Sequence, residues 1–219
     1  MGTERLKAFS DGVLAIIITV MVLGLPIPHG VDLAALVHAA GPGLLSYVLS
    51  FAYVGLYWNN HHHMFQLTSR VTGGILWGNL HLLFWLSLLP FTTGWLDSSA
   101  LARIPVMTYG VNLLAAAIAY LLLQRVIIAD QGSGSALKRA VGRDVKGTSS
   151  MVLYLVGIVC AWFAGPHGDA LTAVSIGCYA VVAILWFIPD RRIERTIAAE
   201  AAEAAAGADD GAGPTASAD

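Results

Sequence analysis

Long apolar stretches, each ended by glycine, proline or charged residues, divide most of the chain into six segments. A helix that crosses a bilayer needs about 20 mainly apolar residues, because its backbone polar groups must bond to one another. The pattern therefore predicts an all-α, polytopic membrane protein with six transmembrane helices per subunit. The predicted spans are 9–25, 42–65, 74–95, 102–128, 148–164 and 170–188.

The composition agrees with this prediction and argues against a soluble enzyme. Of the 219 residues, 57% are hydrophobic and 12% are charged, whereas an average soluble domain is about 25% charged. Only 13 of the 26 charged residues lie within residues 9–189. We therefore predict a transmembrane domain over 1–190, followed over 191–219 by a basic juxtamembrane segment and a disordered cytoplasmic tail. The net charge of −2 offers no basic field for nucleic acid.

The placement of lysine and arginine predicts the orientation of the helices. With the N-terminus inside the cell, 11 of the 12 basic residues fall in cytoplasmic segments, and only Arg103 falls outside. Such an excess of positive charge on one side is typical of the cytoplasmic face. It favours an even number of spans with both termini in the cytoplasm.

One carboxylate, Asp11, lies inside a predicted span. A charge at the centre of a bilayer costs about 2.5–3.5 kcal/mol on insertion scales, so Asp11 should have partners. Because successive helices run in opposite directions, polar residues of the first three helices share one depth. We expect a hydrogen-bonded clamp between these helices, with a proton relay or an ion site as alternatives. The polar residues at this depth are Arg5, Ser10, Asp11, Trp58, Asn59, Asn60, His61, His62, His63, Asn79 and His81.

Three consecutive histidines, His61, His62 and His63, suggest a metal site at first sight. Consecutive residues of a helix point about 100° apart, so the three imidazoles cannot converge on one ion. Neither an acidic partner nor a second histidine at helical spacing lies beside them. We therefore predict no metal and no cofactor, although a histidine at this depth could make the protein sensitive to pH.

A narrow stripe runs along the first helix. Gly12, Ile16, Thr19 and Leu23 fall within an arc of about 60° when successive residues are 100° apart. The stripe could be a packing seam between helices or, repeated around the axis of a homo-oligomer, the wall of a pore. Rings of apolar side chains can gate a pore by expelling water from it. The residues alone do not decide between these two possibilities.

The sequence resembles the transmembrane protein 175 family of potassium channels. The run from Arg5 to Asp11, Arg-Leu-Lys-Ala-Phe-Ser-Asp, is similar to the Arg-x-x-x-Phe-Ser-Asp signature of that family. The likeness continues in the second helix with Trp58, His61 and Phe65, spaced as Trp-x-x-His-x-x-x-Phe. In the third helix it reaches Asn79 and the run Pro90-Phe91-Thr92.

This resemblance implies a homotetramer in which the first helix of each subunit lines a central pore. By the same resemblance, Ile16 would form the constriction or gate, Thr19 would contribute to ion selectivity, and Leu23 would form a further apolar layer. Gly12 and Val20 are additional candidates for the pore lining. The resemblance also implies that an interhelical clamp holds the bundle together. The candidate residues of that clamp are Arg5, Phe9, Ser10, Asp11, Trp58, His61 and Asn79.

We therefore predict a potassium-selective, voltage-independent cation channel in the plasma membrane of a bacterium. Its partners would be other copies of the chain, membrane lipid and K⁺. The absence of an arginine-rich fourth helix argues against a voltage sensor. The alternatives are a proton-coupled secondary transporter or a proton-permeable channel that uses Asp11 and the histidines. A membrane enzyme is disfavoured, because no nucleophile and base occur at useful spacing.

Overall fold

The computed structural model describes residues 2–132, 134–141 and 144–188, except for the side chain of Pro42. Within these residues all regular secondary structure is helical. The tail predicted over 191–219 lies outside the described residues. The helices are α1 (Thr3–Leu23), α2 (Leu33–Gln66), α3 (Gly73–Ser87), α4 (Leu89–Ser98), α5 (Arg103–Gln131), α6 (Ala136–Val141), α7 (Val145–Phe163) and α8 (Ala170–Phe187).

The described helices make the chain a multi-pass membrane protein. Helices α1, α5, α7 and α8 are each long and apolar enough to cross a bilayer, and α3 and α4 together form one span over Gly73–Ser98. Helix α2 is bent by 56° between Leu33–Gly41 and Gly43–Gln66. The described part thus contains five spans, or six if the bent helix counts as one. Pro42 lies at the bend, where it removes one backbone hydrogen bond of the helix.

Three local features differ from the pattern predicted by the sequence. Helix α2 begins at Leu33 and not near residue 42, because Asp32 caps it by accepting a 2.7 Å hydrogen bond from the backbone N–H of Ala35. The third span is divided after Ser87 into α3 and α4. A short additional helix, α6, lies between the predicted spans 102–128 and 148–164.

Helix α5 forms the centre of the subunit and packs against α3, α4, α7 and α8. Its core-facing side chains, including Tyr109, Leu113 and Leu123, are fully buried. Helix α1 stands at the edge of the bundle, where it packs against α2, α3 and α4. This position leaves one long face of α1 without a partner inside the subunit.

Asp169 caps the last span in the loop between α7 and α8. Its carboxylate accepts hydrogen bonds from the backbone N–H groups of Gly165, Leu171 and Thr172, and the Thr172 hydroxyl completes a capping box. These donors, that of Gly165 foremost, stabilise the charged form and lower the pKa of Asp169 below its usual value. The start of α8 is therefore fixed by a charged cap.

Candidate functional site

A continuous chain of hydrogen bonds connects the first three spans. The side-chain amide of Asn79 on α3 donates to the Ser10 hydroxyl on α1 at 2.9 Å. On its other side, the amide oxygen of Asn79 lies 2.8 Å from Nε2 of His61 on α2. All three residues are buried. One polar side chain from each of three helices thus meets in an otherwise apolar interior.

The hydrogen bonds of this chain run in one direction. The Ser10 hydroxyl donates its only proton to the backbone carbonyl of Leu6 at 2.9 Å, so it must accept from Asn79. The amide nitrogen of Asn79 therefore faces Ser10, and its oxygen faces His61. The His61 ring must then carry a proton on Nε2 in order to donate. Each of these groups finds a partner, which matters because an unpaired polar group costs several kcal/mol in a bilayer.

A second, separate contact connects α1 to α2. Asp11 accepts a 3.0 Å hydrogen bond from the indole N–H of Trp58, and both side chains are exposed in the single subunit. The other two clamp candidates of α1, Phe9 and Arg5, are exposed as well. Among the described residues, no hydrogen bond or ion pair engages the Arg5 side chain. The structure thus brings together Ser10, His61 and Asn79, and separately Asp11 and Trp58, and leaves Arg5 and Phe9 outside both contacts. The clamp role of all seven residues stays a prediction.

The other histidines of this layer bond locally and do not join the chain. His62 and His63 both contact Gln66, one helical turn away on α2. His81 accepts a hydrogen bond from the indole of Trp85. Within the part of the chain that the structure describes, no three histidine, cysteine, aspartate or glutamate side chains converge to hold a metal ion.

The stripe predicted on α1 lies on the face that points away from the subunit. Ile16 is 62% exposed and Leu23 is 81% exposed, although both are large apolar side chains. A β-carbon added at Gly12 would meet no atom within 4 Å. The buried residues of the helix lie on the opposite side, centred about 150° away on a helical projection. These buried residues are Leu6, Ser10, Leu14, Ile17 and Met21.

Thr19 presents an oxygen atom on this exposed face. Its hydroxyl donates its proton to the backbone carbonyl of Ile16 at 2.9 Å, one turn earlier on α1. Since the proton points back along the helix, the oxygen lone pairs remain free as acceptors. The exposed face therefore offers, in order along α1, an unsubstituted position, an aliphatic side chain, an oxygen ligand and a second aliphatic side chain.

Sequence reasoning missed a second buried polar cluster, which lies between α2, α4 and α5. The Ser50 hydroxyl contacts Thr93 at 2.7 Å and Tyr109 at 3.0 Å. Nearby, the Asn112 amide donates to Thr92 at 3.4 Å, while its buried oxygen has no hydrogen-bond partner among the described residues. Small hydroxyls at matching depth in adjacent spans were the available indication, but uncharged residues of this kind are common in helices.

Comparison with known sequences gives matches over most of the chain. The family model described as the endosomal/lysosomal potassium channel TMEM175 matches residues 5–90. A potassium channel from Chryseobacterium sp. (strain P1-3) is 50% identical over 197 residues, which cover 90% of this chain and 98% of that protein. A potassium channel from Streptomyces collinus is 32% identical over 53% of this chain and 60% of its own length.

Two further similarities involve a distant relative and a solved structure. The human endosomal/lysosomal proton channel TMEM175 is 40% identical over 83 residues, which cover 33% of this chain and 16% of that protein. The crystal structure of a lysosomal potassium-selective channel TMEM175 homolog from Chamaesiphon minutus superposes with a TM-score of 0.70 at 28% identity. That superposition covers 86% of this chain and 97% of the other.

Proposed function

The chain belongs to the TMEM175 family, a family of channels and not of enzymes, and on that premise we propose that it is a potassium-selective, voltage-independent cation channel. Four copies surround one axis in the plasma membrane of a bacterium, with both termini in the cytoplasm. Each copy contributes α1 to the wall of the pore. The channel requires no cofactor beyond the permeant ion.

The observation that carries this proposal is the exposed stripe of α1. A large apolar residue at the edge of a membrane protein usually faces lipid, but a glycine and a threonine on the same stripe give lipid little to contact. Around a fourfold axis the stripe forms four stacked rings instead. The residues of these rings, from the cytoplasmic side outward, are Gly12, Ile16, Thr19 and Leu23.

The Ile16 ring acts as the constriction of this pore. An aliphatic ring provides no hydrogen bonds to water, so a narrow ring of this kind empties of water and blocks ions until it widens. Leu23 forms a second such ring near the other end of α1, and Val20 lies beside the path. A hydrated cation must lose part of its shell to pass Ile16.

Selectivity arises one turn beyond the constriction, at Thr19. A potassium ion that has lost water at Ile16 needs oxygen ligands, and the free lone pairs of four Thr19 hydroxyls supply them. The hydrogen bond to the Ile16 carbonyl supports this role, because it fixes the side-chain rotamer. Preference for K⁺ over Na⁺ follows from a weak ring of oxygens that replaces only part of the hydration shell.

The interhelical hydrogen bonds hold α1 in the rotation that this pore requires. If α1 were rotated by about 100° about its axis, the residues next to the stripe would face the pore in its place. The Ser10–Asn79–His61 chain fixes the buried face of α1, and the Asp11–Trp58 contact fixes its flank. We assign these residues to assembly and alignment of the pore, not to conduction.

Ion flux into liposomes tests the proposal. Ile16→Asn places a polar amide in the constriction. Because the amide bonds to water, the constriction should stay filled with water, and potassium uptake should rise several-fold. The matched control is Val22→Asn, because Val22 is also exposed on α1 but lies about 90° from the stripe. An unchanged uptake in Ile16→Asn, or an equal increase in the control, would contradict the pore assignment. A potassium conductance that changes steeply with voltage would contradict the proposed voltage independence.

The proton-permeable alternative is tested in the same liposomes. The human relative described as a proton channel makes this measurement worthwhile, and Asp11 is the carboxylate that could relay a proton. Under the potassium-channel proposal, a pH gradient without a potassium gradient drives little proton flux, and Asp11→Asn does not change it. A large proton flux that Asp11→Asn abolishes would favour the alternative.

A further inference from the structure

A cavity of about 300 Å³ lies behind the pore-facing stripe, at the end of the membrane layer opposite the N-terminus of α1. Residues of three helices line it. The end of α1 contributes Val20 and Gly24, the segment of α2 after the bend contributes Tyr47, and α4 contributes Phe91 and Asp97. Cavities of this volume are in the range that small molecules occupy.

Asp97 is the single charged residue in the lining of this cavity. Its carboxylate lies against Gly43, where a β-carbon would fall 2.6 Å from a carboxylate oxygen and would displace the carboxylate from this position. Among the described residues, no lysine, arginine or histidine lies within ion-pair distance of Asp97. The half-buried carboxylate of Asp97 is therefore available to pair with a cation that enters the cavity.

Apart from Thr93 and three glycines, the rest of the lining is aromatic and aliphatic. The rings of Tyr47 and Phe91 and the side chain of Val20 line the same space as the carboxylate. Aromatic faces attract cations, and the attraction strengthens where water is excluded. A hydrated metal ion gains little from such walls, whereas an organic ammonium can place its charge on Asp97 and its carbon body among the rings.

We propose that this cavity is a binding site for an ammonium group carried on an apolar body. The site lies at the level of the lipid headgroups, because Asp97 is in the last turn of α4 and Gly24 follows the end of α1. Two sources supply this chemistry there: the headgroup of phosphatidylethanolamine and a free amphiphilic amine. Either ligand would pack against the side of α1 that lies behind Leu23.

Binding is tested on the full-length protein without any measurement of ion flux, so the result is independent of the proposed channel activity. In dodecyl maltoside at pH 7, benzylammonium is the probe and benzyl alcohol is the uncharged analogue of the same size. Asp97→Asn should weaken benzylammonium binding at least tenfold. Asp32→Asn is the matched control, because it removes a carboxylate at the same end of the molecule and keeps an oxygen that caps α2. It should change binding less than twofold.

A second variant fills the space and keeps the charge. Gly94 lines the cavity, and a β-carbon there meets no atom within 4 Å, so Gly94→Leu should fold normally and also weaken binding at least tenfold. Equal binding of benzyl alcohol and benzylammonium overturns the proposal. Full binding of benzylammonium to either Asp97→Asn or Gly94→Leu also overturns it. So does a wild-type protein that binds neither benzylammonium nor, in the lipid experiment below, phosphatidylethanolamine.

The second arm identifies the source of the ammonium. The protein is reconstituted in equal amounts of phosphatidylethanolamine and phosphatidylglycerol, and the lipid retained per subunit is counted by native mass spectrometry. Retention of phosphatidylethanolamine that Asp97→Asn removes supports a lipid ligand. Binding of benzylammonium without such retention supports a free amine.

Discussion

Asn79 and Ser10 lie 69 positions apart in the sequence, and their side chains meet in a 2.9 Å hydrogen bond inside the subunit. The same Asn79 side chain contacts His61, so one amide joins α3 to both α1 and α2. An amide that donates on one side and accepts on the other fixes the relative rotation of three helices. Apolar packing alone would leave that rotation less defined, because it has no direction.

Loss of this amide should destabilise the subunit. Asn79→Ala leaves the His61 N–H buried without an acceptor, so the free energy of unfolding in detergent should fall by about 1–3 kcal/mol. Asn59→Ala serves as the control, because Asn59 is exposed on α2, and it should change stability by less than about 0.5 kcal/mol. A double-mutant cycle of Ser10→Ala and Asn79→Ala should give a coupling of roughly 0.6–1.7 kcal/mol. Zero coupling would show that the two residues do not act together.

Thr19 should set ion preference through its oxygen atom. Thr19→Val keeps the shape and removes the oxygen, and we expect the permeability ratio of K⁺ to Na⁺ to fall about fivefold, equivalent to about 1 kcal/mol. Thr19→Ser keeps the oxygen and should retain most of the preference. The reversal potential with K⁺ and Na⁺ on opposite sides measures both variants. Identical values for valine and serine would remove Thr19 from the selectivity ring.

A substitution at Gly12 should affect the stability of the subunit and the flux through the pore in different ways. A β-carbon at Gly12 meets nothing within 4 Å of its own chain, and alanine is favoured over glycine in a helix by about 0.8–1.0 kcal/mol. Gly12→Ala should therefore unfold at an equal or higher temperature and yet conduct less potassium, since four methyl groups narrow the path. Thermal unfolding and liposome flux measure the two effects. Unchanged flux would place Gly12 away from the pore.

The charged cap at Asp169 should make stability depend on pH. Its pKa is lowered in the folded protein, so its contribution is present above the usual aspartate pKa of about 3.9 and is lost as the pH falls through the lower folded value. Asp169→Ala should lower the melting temperature at pH 6 and have a smaller effect at pH 3. Asp169→Asn can still cap α8, so its melting temperature at pH 6 should lie between those of the wild type and Asp169→Ala. An equal loss at both pH values in the alanine variant would exclude the ionic contribution.

The sequence predicted the polar layer but not its division into two contacts. Alternating helix directions placed Ser10, Asp11, Trp58, His61 and Asn79 at one depth, and the structure pairs them across helices. Which residues meet depends on the rotation and rise of each helix, and the packing of large side chains sets these to within about an ångström. The resemblance grouped Arg5 with them, but in the single subunit its side chain is exposed.

The helix boundaries show a similar limit. Hydropathy located the apolar segments but could not show that α2 continues through Pro42, because a helix with a proline either ends or bends. In the structure the helix bends, and Asp32 caps its start ten residues before the proline. The division between α3 and α4 has a comparable cause, since Pro90 cannot donate to the carbonyl of Leu86 and the break falls just before it.

The placement of the hydrogen bonds means that α1 is held more firmly in its N-terminal half than at its C-terminal end. Among the described residues, the side-chain hydrogen bonds from α1 to other helices, at Ser10 and Asp11, lie in the first half of the helix. Leu14, Ile17 and Met21 hold the rest by apolar packing. Hydrogen bonds restrict rotation through their direction, and apolar packing without them restricts it less. A helix that is held firmly at one end moves least near that end and most at the other. Thermal motion should therefore displace Leu23 more than Gly12, with Ile16 and Thr19 in between.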